Sequence, residues 1–341
     1  MSVNPVLSSA EYIQKNSRDV KIPKEGVKVA AQKIFESMKS LEYSTATWKT
    51  HQLNPSIANE EAIDWIFFVD SLNFSFWSKY DTSQQYAVSY EENTYRGYWT
   101  LCCCVNRAIS EGISITDPRV FKDLDENQLS YIFRSDTKES IPLLTERLEI
   151  LREVGTVLVE KFDGSFVNCI KQADNSAMKL LNLIVSNFKS YRDEHFFEGR
   201  NVQILKRAQI LIADIWACFE GKGLGRFDDI DEITMFADYR VPQALVYFNA
   251  LEYSDHLLSL LNNQTPLPSG GRLEIEIRGC SIWAVECVRR EIQQLIQLNP
   301  DQLKYDKVNP ILIDFYIWDY AKAHSDQLRQ IPIHLTRSIY Y

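Results

Sequence analysis

The chain has 341 residues, 45% hydrophobic and 24% charged, enough for one large globular domain or two ordinary ones. A formal net charge of −9 argues against a non-specific grip on nucleic acid, which needs Lys and Arg to neutralise phosphates. It leaves room for a small phosphorylated ligand held by one or two local donors, or for a cationic one.

The polar start, residues 1–20, lacks the basic opening and apolar stretch of a signal peptide. No apolar run approaches the roughly 18 residues a membrane span needs, so no membrane partner is expected. Residues 25–41 place Val27, Ala30, Ile34 and Met38 on one helical face. "NEEAIDWIFFVDSL" opens with Asn59 as an N-cap and has acids in its first turn. A short strand fits near 85–90. Residues 145–162, 176–191 and 201–219 each carry helical periodicity, the first with Leu148, Leu151 and Val154 in register. "GKGLG" at 221–225 lacks a P-loop's Lys-Ser/Thr element and reads as a helix end with a tight connection.

Pro242 starts a helix running to Leu261. "NNQTPLPSGGR" is the clearest loop, and residues 273–298 form a long helix whose first residues alternate like a strand. Asn309 and Pro310 are a strong start signal for a helix to about Ala323. A second short strand fits at 331–335. The expected fold is all-α, with a single helical domain over residues 21–341 and a few short strands.

The seven cysteines include no C-x-x-C pair, and Cys102, Cys103 and Cys104 point in three directions on a helix. Reduced thiols in a cytoplasmic protein are expected. The five histidines are scattered, so no metal site is expected, and no nucleophile elbow or dinucleotide fingerprint is present.

Three stretches could carry chemistry. In "DFYIWDY", Asp314 lies among Ile311, Leu312, Ile313 and Phe315, and a dry setting would raise its pKa. Asp319 lies in the helix's polar second half and stays ionised more easily. The two project roughly 140° apart around the helix and can still flank one cleft. Two carboxylates in unlike settings suit acid/base work on a glycosidic bond. Asp314 could equally be a buried acceptor for an Arg or Tyr. In "FADYRVPQ", Asp238 sits between aromatics before a helix; it either caps that helix or accepts N–H groups of a flat heterocycle. In "WKTHQLNP" and "DSLNFSFW", His51, Asp70 and Asn73 accompany an aromatic density that suits a core or a pocket wall.

Together "HQLNP", "DSLNFSFW", "FADYRVPQ", "IRGCSIWAVE" and "DFYIWDY" resemble the queuosine salvage family over almost the whole chain. The resemblance implies an all-helical fold similar to helix-hairpin-helix DNA glycosylases. It implies cleavage of the N-glycosidic bond of queuosine 5′-monophosphate, with release of the base queuine for reinsertion into tRNA. It implies no cofactor, a small nucleotide as partner and no polymeric nucleic acid. On this resemblance Asp319 is the nucleophile or cation stabiliser, and Asp314 and Asp238 bind the base, although Asp314 and Asp319 could exchange roles. His51, Met235, Phe236 and Phe315 complete the substrate contacts, and Arg240 or Lys322 takes the 5′-phosphate. The rival expectations are a glycosylase acting on a DNA or RNA polymer and a non-enzymatic helical interaction protein.

Overall fold

A computed structural model describes residues 4–40, 45–299 and 308–341, most of them helical. The chain divides into two compact units. The first comprises Met1–Ser44, Asp193–Gln209 and Asp229–Arg337, and the second Thr45–Arg192, Ile210–Asp228 and Ser338–Tyr341.

In the first unit the long helix Arg272–Leu298 packs against Pro5–Asn16 and Lys24–Ser40. Residues Pro5–Asn16 of the polar start are therefore helical. Asn4 caps it, accepting the Val6 amide at 2.8 Å, and Val6, Ala10 and Ile13 face inward. Gly279 lets the two backbones approach, since a Cβ there would lie 2.5 Å from Ile13. Lys24–Ser40 matches the expected helix, and Leu41 lies outside the described residues.

The helix Pro310–Ala323 packs against Arg240–Tyr247. Its start is as expected: Asn309 accepts the Leu312 amide at 3.0 Å, and Pro310, in the first turn, has no amide to leave unpaired.

Three expectations need correction. The helix placed over 242–261 is two helices, Arg240–Tyr247 and Asp255–Asn262. Asn249 adopts a left-handed φ of 60°, Glu252–Tyr253 pairs antiparallel with Val20–Lys21, and Ser254 caps the second helix. The start of 201–219 is strand: Arg200–Gln203 pairs with Glu194–Phe197, and the helix begins at Lys206. Residues 331–335 form no strand, while the alternating start of 273–298 is helical throughout.

The second unit gathers Glu60–Ser71, Tyr98–Ser110, Leu144–Lys161, Phe166–Ala173 and Ala177–Asn187 around an aromatic core. Phe67 stacks on Phe166 at 4.6 Å and lies near Phe188 and Tyr191. Asn59 caps its helix as expected, accepting the Ala62 amide at 2.9 Å. The expected strand near 85–90 is Ala87–Tyr90, in a hairpin with Asn93–Arg96. Asp70 and Asn73 are buried and bonded to each other at 3.0 Å. Cys102, Cys103 and Cys104 are buried, free thiols. No described helix is long and apolar enough to cross a membrane.

Candidate active site

The segment 234–239 leads into the helix Arg240–Tyr247 and carries backbone groups as well as side chains to one place. The Phe236 amide donates to Asp314 Oδ1 at 2.9 Å. Asp238 Oδ1 accepts from the amides of Arg240 and Val241 at 2.7 and 2.8 Å, so Asp238 does cap the following helix. Asp238 and Asp314 thus share a design: one oxygen is fixed by backbone amides, and the other has no hydrogen-bond partner among the described residues.

Asp314 is buried and Asp238 half-buried. Asp314 is 4% exposed, and burial pushes its pKa well above the ordinary carboxylate value. The Phe236 amide and the Lys206 ammonium oppose that rise, while the negative charges of Asp238 and Asp319 add to it. Burial also raises Asp238, against the pull of its capping amides, Lys206 and Arg240. Asp319, five positions along the helix, is exposed. The expected contrast between a buried and a solvated carboxylate on this helix is present, and Asp314 lies within electrostatic reach of both Asp238 and Asp319.

Cations border the group. Lys206 is 5% exposed and opens the helix Lys206–Cys218. Lys322 is exposed as a residue, yet desolvation around its ammonium, followed by the Arg240 charge, lowers its pKa to about 8. Holding two cations near each other is unfavourable unless an anion joins them.

The remaining expected residues separate. Phe236 buries its ring at 2% exposure, 6.2 Å from the half-buried Phe315, which is the more accessible aromatic. Met235 is fully buried and lines a cavity of about 170 Å³ with Thr234, Ile282, Arg289 and Pro310. His51 belongs to the second unit, where its ring stacks on Trp99 with centroids 3.4 Å apart. No cluster of metal-ligating side chains occurs among the described residues.

Two groups escape sequence reasoning. Lys206 reads as one polar position of an amphipathic stretch. Arg278, in "IRGCSIWAVE", is fully buried and donates Nε to the Ala237 carbonyl at 3.0 Å. A charged residue on the apolar side of a long helix is the only available signal for it.

A family model described as "Queuosine salvage protein" matches residues 53–341. A Mus musculus protein named queuosine 5′-phosphate N-glycosylase/hydrolase is 48% identical over 334 residues, covering 98% of this chain and 97% of its own. A Nematostella vectensis protein of the same name is 42% identical over 339 residues, covering 98% and 97%. One from Sphaerobacter thermophilus is 33% identical over 312 residues, covering 92% and 91%. The chain belongs to the queuosine salvage family.

Proposed function

We propose that this protein hydrolyses the N-glycosidic bond of queuosine 5′-monophosphate, releasing queuine and ribose 5-phosphate, and so supplies queuine for return to tRNA. The observation that carries this reading is the pair Asp238–Asp314, one half-buried and one buried carboxylate pinned by the amides of one segment, each with an oxygen left for a ligand.

The bond between the sugar C1′ and the base nitrogen breaks through an oxocarbenium-like sugar. Its electron pair leaves with the base, water adds its hydroxyl to C1′, and a proton ends on the base nitrogen. An ionised carboxylate beside C1′ stabilises the developing cation, most strongly where water is excluded. Sequence alone favours Asp319 for this task and leaves the exchange with Asp314 open. We assign it to Asp314, because its position is fixed and its setting is dry, whereas Asp319 is solvated. Its raised pKa is no obstacle, since the ammonium of the queuine arm and the forming sugar cation both favour its charged form.

Asp238 accepts the N–H donors of the guanine-like edge, and Phe315 offers an aromatic surface to the ring. Asp319, an exposed carboxylate, suits the cationic arm. Arg240 and Lys322, two cations close enough to feel each other's charge, take the 5′-phosphate. The mainly helical fold is compatible with a likeness to helix-hairpin-helix DNA glycosylases.

Incubation of purified protein with queuosine 5′-monophosphate, followed by chromatography, tests the reading. Equimolar queuine and ribose 5-phosphate are expected, and an unchanged nucleotide would refute it.

A further inference from the structure

We infer that Arg278 is a positioning residue for this reaction: it fixes the Ala237–Asp238 peptide and thereby sets where Asp238 stands relative to Asp314. This inference rests on the proposed reaction and extends it to a side chain that touches neither substrate nor reacting atoms.

Arg278 is fully buried in the middle of the Arg272–Leu298 helix. Its guanidinium makes a fork with Asp193, Nη1 to Oδ1 at 3.1 Å and Nη2 to Oδ2 at 2.7 Å. Nη1 also meets Glu274 Oε1 at 3.2 Å, one turn back on the same helix. Nε donates to the Ala237 carbonyl at 3.0 Å. Because the peptide unit is planar, fixing that carbonyl fixes the plane that leads into Asp238. The segment is then held at three successive points: the Phe236 amide on Asp314, the Ala237 carbonyl on Arg278, and Asp238 on the helix start.

The same guanidinium is linked through Asp193 to the segment that carries Lys206. Asp193 Oδ2 accepts the Lys206 amide at 3.2 Å, and the Asp193 carbonyl accepts the amide of Ile204 at 3.0 Å. Arg278 therefore joins the segment carrying Asp238 to the one delivering Lys206. Lysine cannot replace it, since a single ammonium lacks the rigid fork that serves a carboxylate and a carbonyl together.

The test compares Arg278→Lys with Glu274→Gln. Both disturb the buried ion pairs, and only the first removes the bond to Ala237. Positioning predicts that Arg278→Lys lowers kcat roughly 100-fold, the order expected for a small misplacement of reacting groups, with KM little changed. Glu274→Gln should keep kcat within about twofold, as it leaves the segment in place. Hydrogen exchange supplies a readout independent of turnover: the amides of Phe236, Arg240 and Val241 should exchange faster in Arg278→Lys and normally in Glu274→Gln. Equal kcat losses in both variants, or unchanged exchange in Arg278→Lys, would overturn the inference. A wild type that releases no queuine would refute the proposed reaction instead, and amide exchange would still decide whether Arg278 holds the segment.

Discussion

Asp314 and Phe236 lie 78 positions apart in the chain, and the amide of one donates to the carboxylate of the other at 2.9 Å. This bond fixes one oxygen of Asp314 inside a setting dry enough to resist its ionisation. Both stability and chemistry should respond to it.

The stability consequence has a definite sign. The folded-state pKa of Asp314 lies above its unfolded value, so its contribution is fully present below about pH 4 and is lost as pH rises through the folded pKa. Asp314→Asn keeps an oxygen for the Phe236 amide and removes the ionisation. At neutral pH the variant should unfold at a higher temperature than wild type, with roughly 2–4 °C for each kcal/mol gained. The gain should vanish below about pH 4, and thermal scans across pH measure both. A gain that persists in acid would mean that ionisation is not its origin.

Asp238 has two separable duties. Asp238→Asn retains an oxygen for the amides of Arg240 and Val241 and removes a charge that burial disfavours, so folding stability should be kept or raised while turnover drops. Asp238→Ala also loses the cap and should unfold about 1 kcal/mol more easily. Denaturant titrations beside steady-state kinetics separate the two effects. Equal stability losses in both variants would contradict the division.

Lys322 predicts an alkaline limb. Its ammonium, lowered to about 8, discharges as pH rises through that value and its attraction for the phosphate disappears. KM for queuosine 5′-monophosphate should rise above about pH 8 with kcat less affected. Lys322→Arg should move the limb upward, and Lys322→Met should raise KM below about pH 8 and remove the limb. An unshifted limb in Lys322→Met would assign the titration to another group.

The cap that starts the Asp314 helix is a local stability element. Asn309→Ala should cost about 1 kcal/mol while leaving turnover per folded molecule near wild type. Unfolding followed by circular dichroism, with activity measured well below the transition, checks this.

What the sequence reveals is local. Asn309–Pro310 and Asn59 mark helix starts because caps act within a few residues. The dry setting of Asp314 is legible from its neighbours, and the cap at Asp238 from its place before a helix. Three things are illegible for one reason. The break after Tyr247 depends on a pairing with Val20–Lys21, far away in the chain. Asp314 and Phe236 meet only after folding, as do Arg278 and Asp193, which are 85 positions apart. Periodicity fixes which way a residue faces on its own helix, and says nothing of what arrives opposite.

The central claim is that Asp314, not Asp319, faces the sugar. Single-turnover release of queuine from queuosine 5′-monophosphate by wild type, Asp314→Asn and Asp319→Asn tests it most directly. The account predicts that Asp314→Asn lowers the chemical rate by roughly 10²–10³-fold, as for loss of one transition-state charge partner, while Asp319→Asn chiefly weakens binding. A chemical rate that collapses in Asp319→Asn and survives in Asp314→Asn would contradict the account and return the role to the solvated carboxylate.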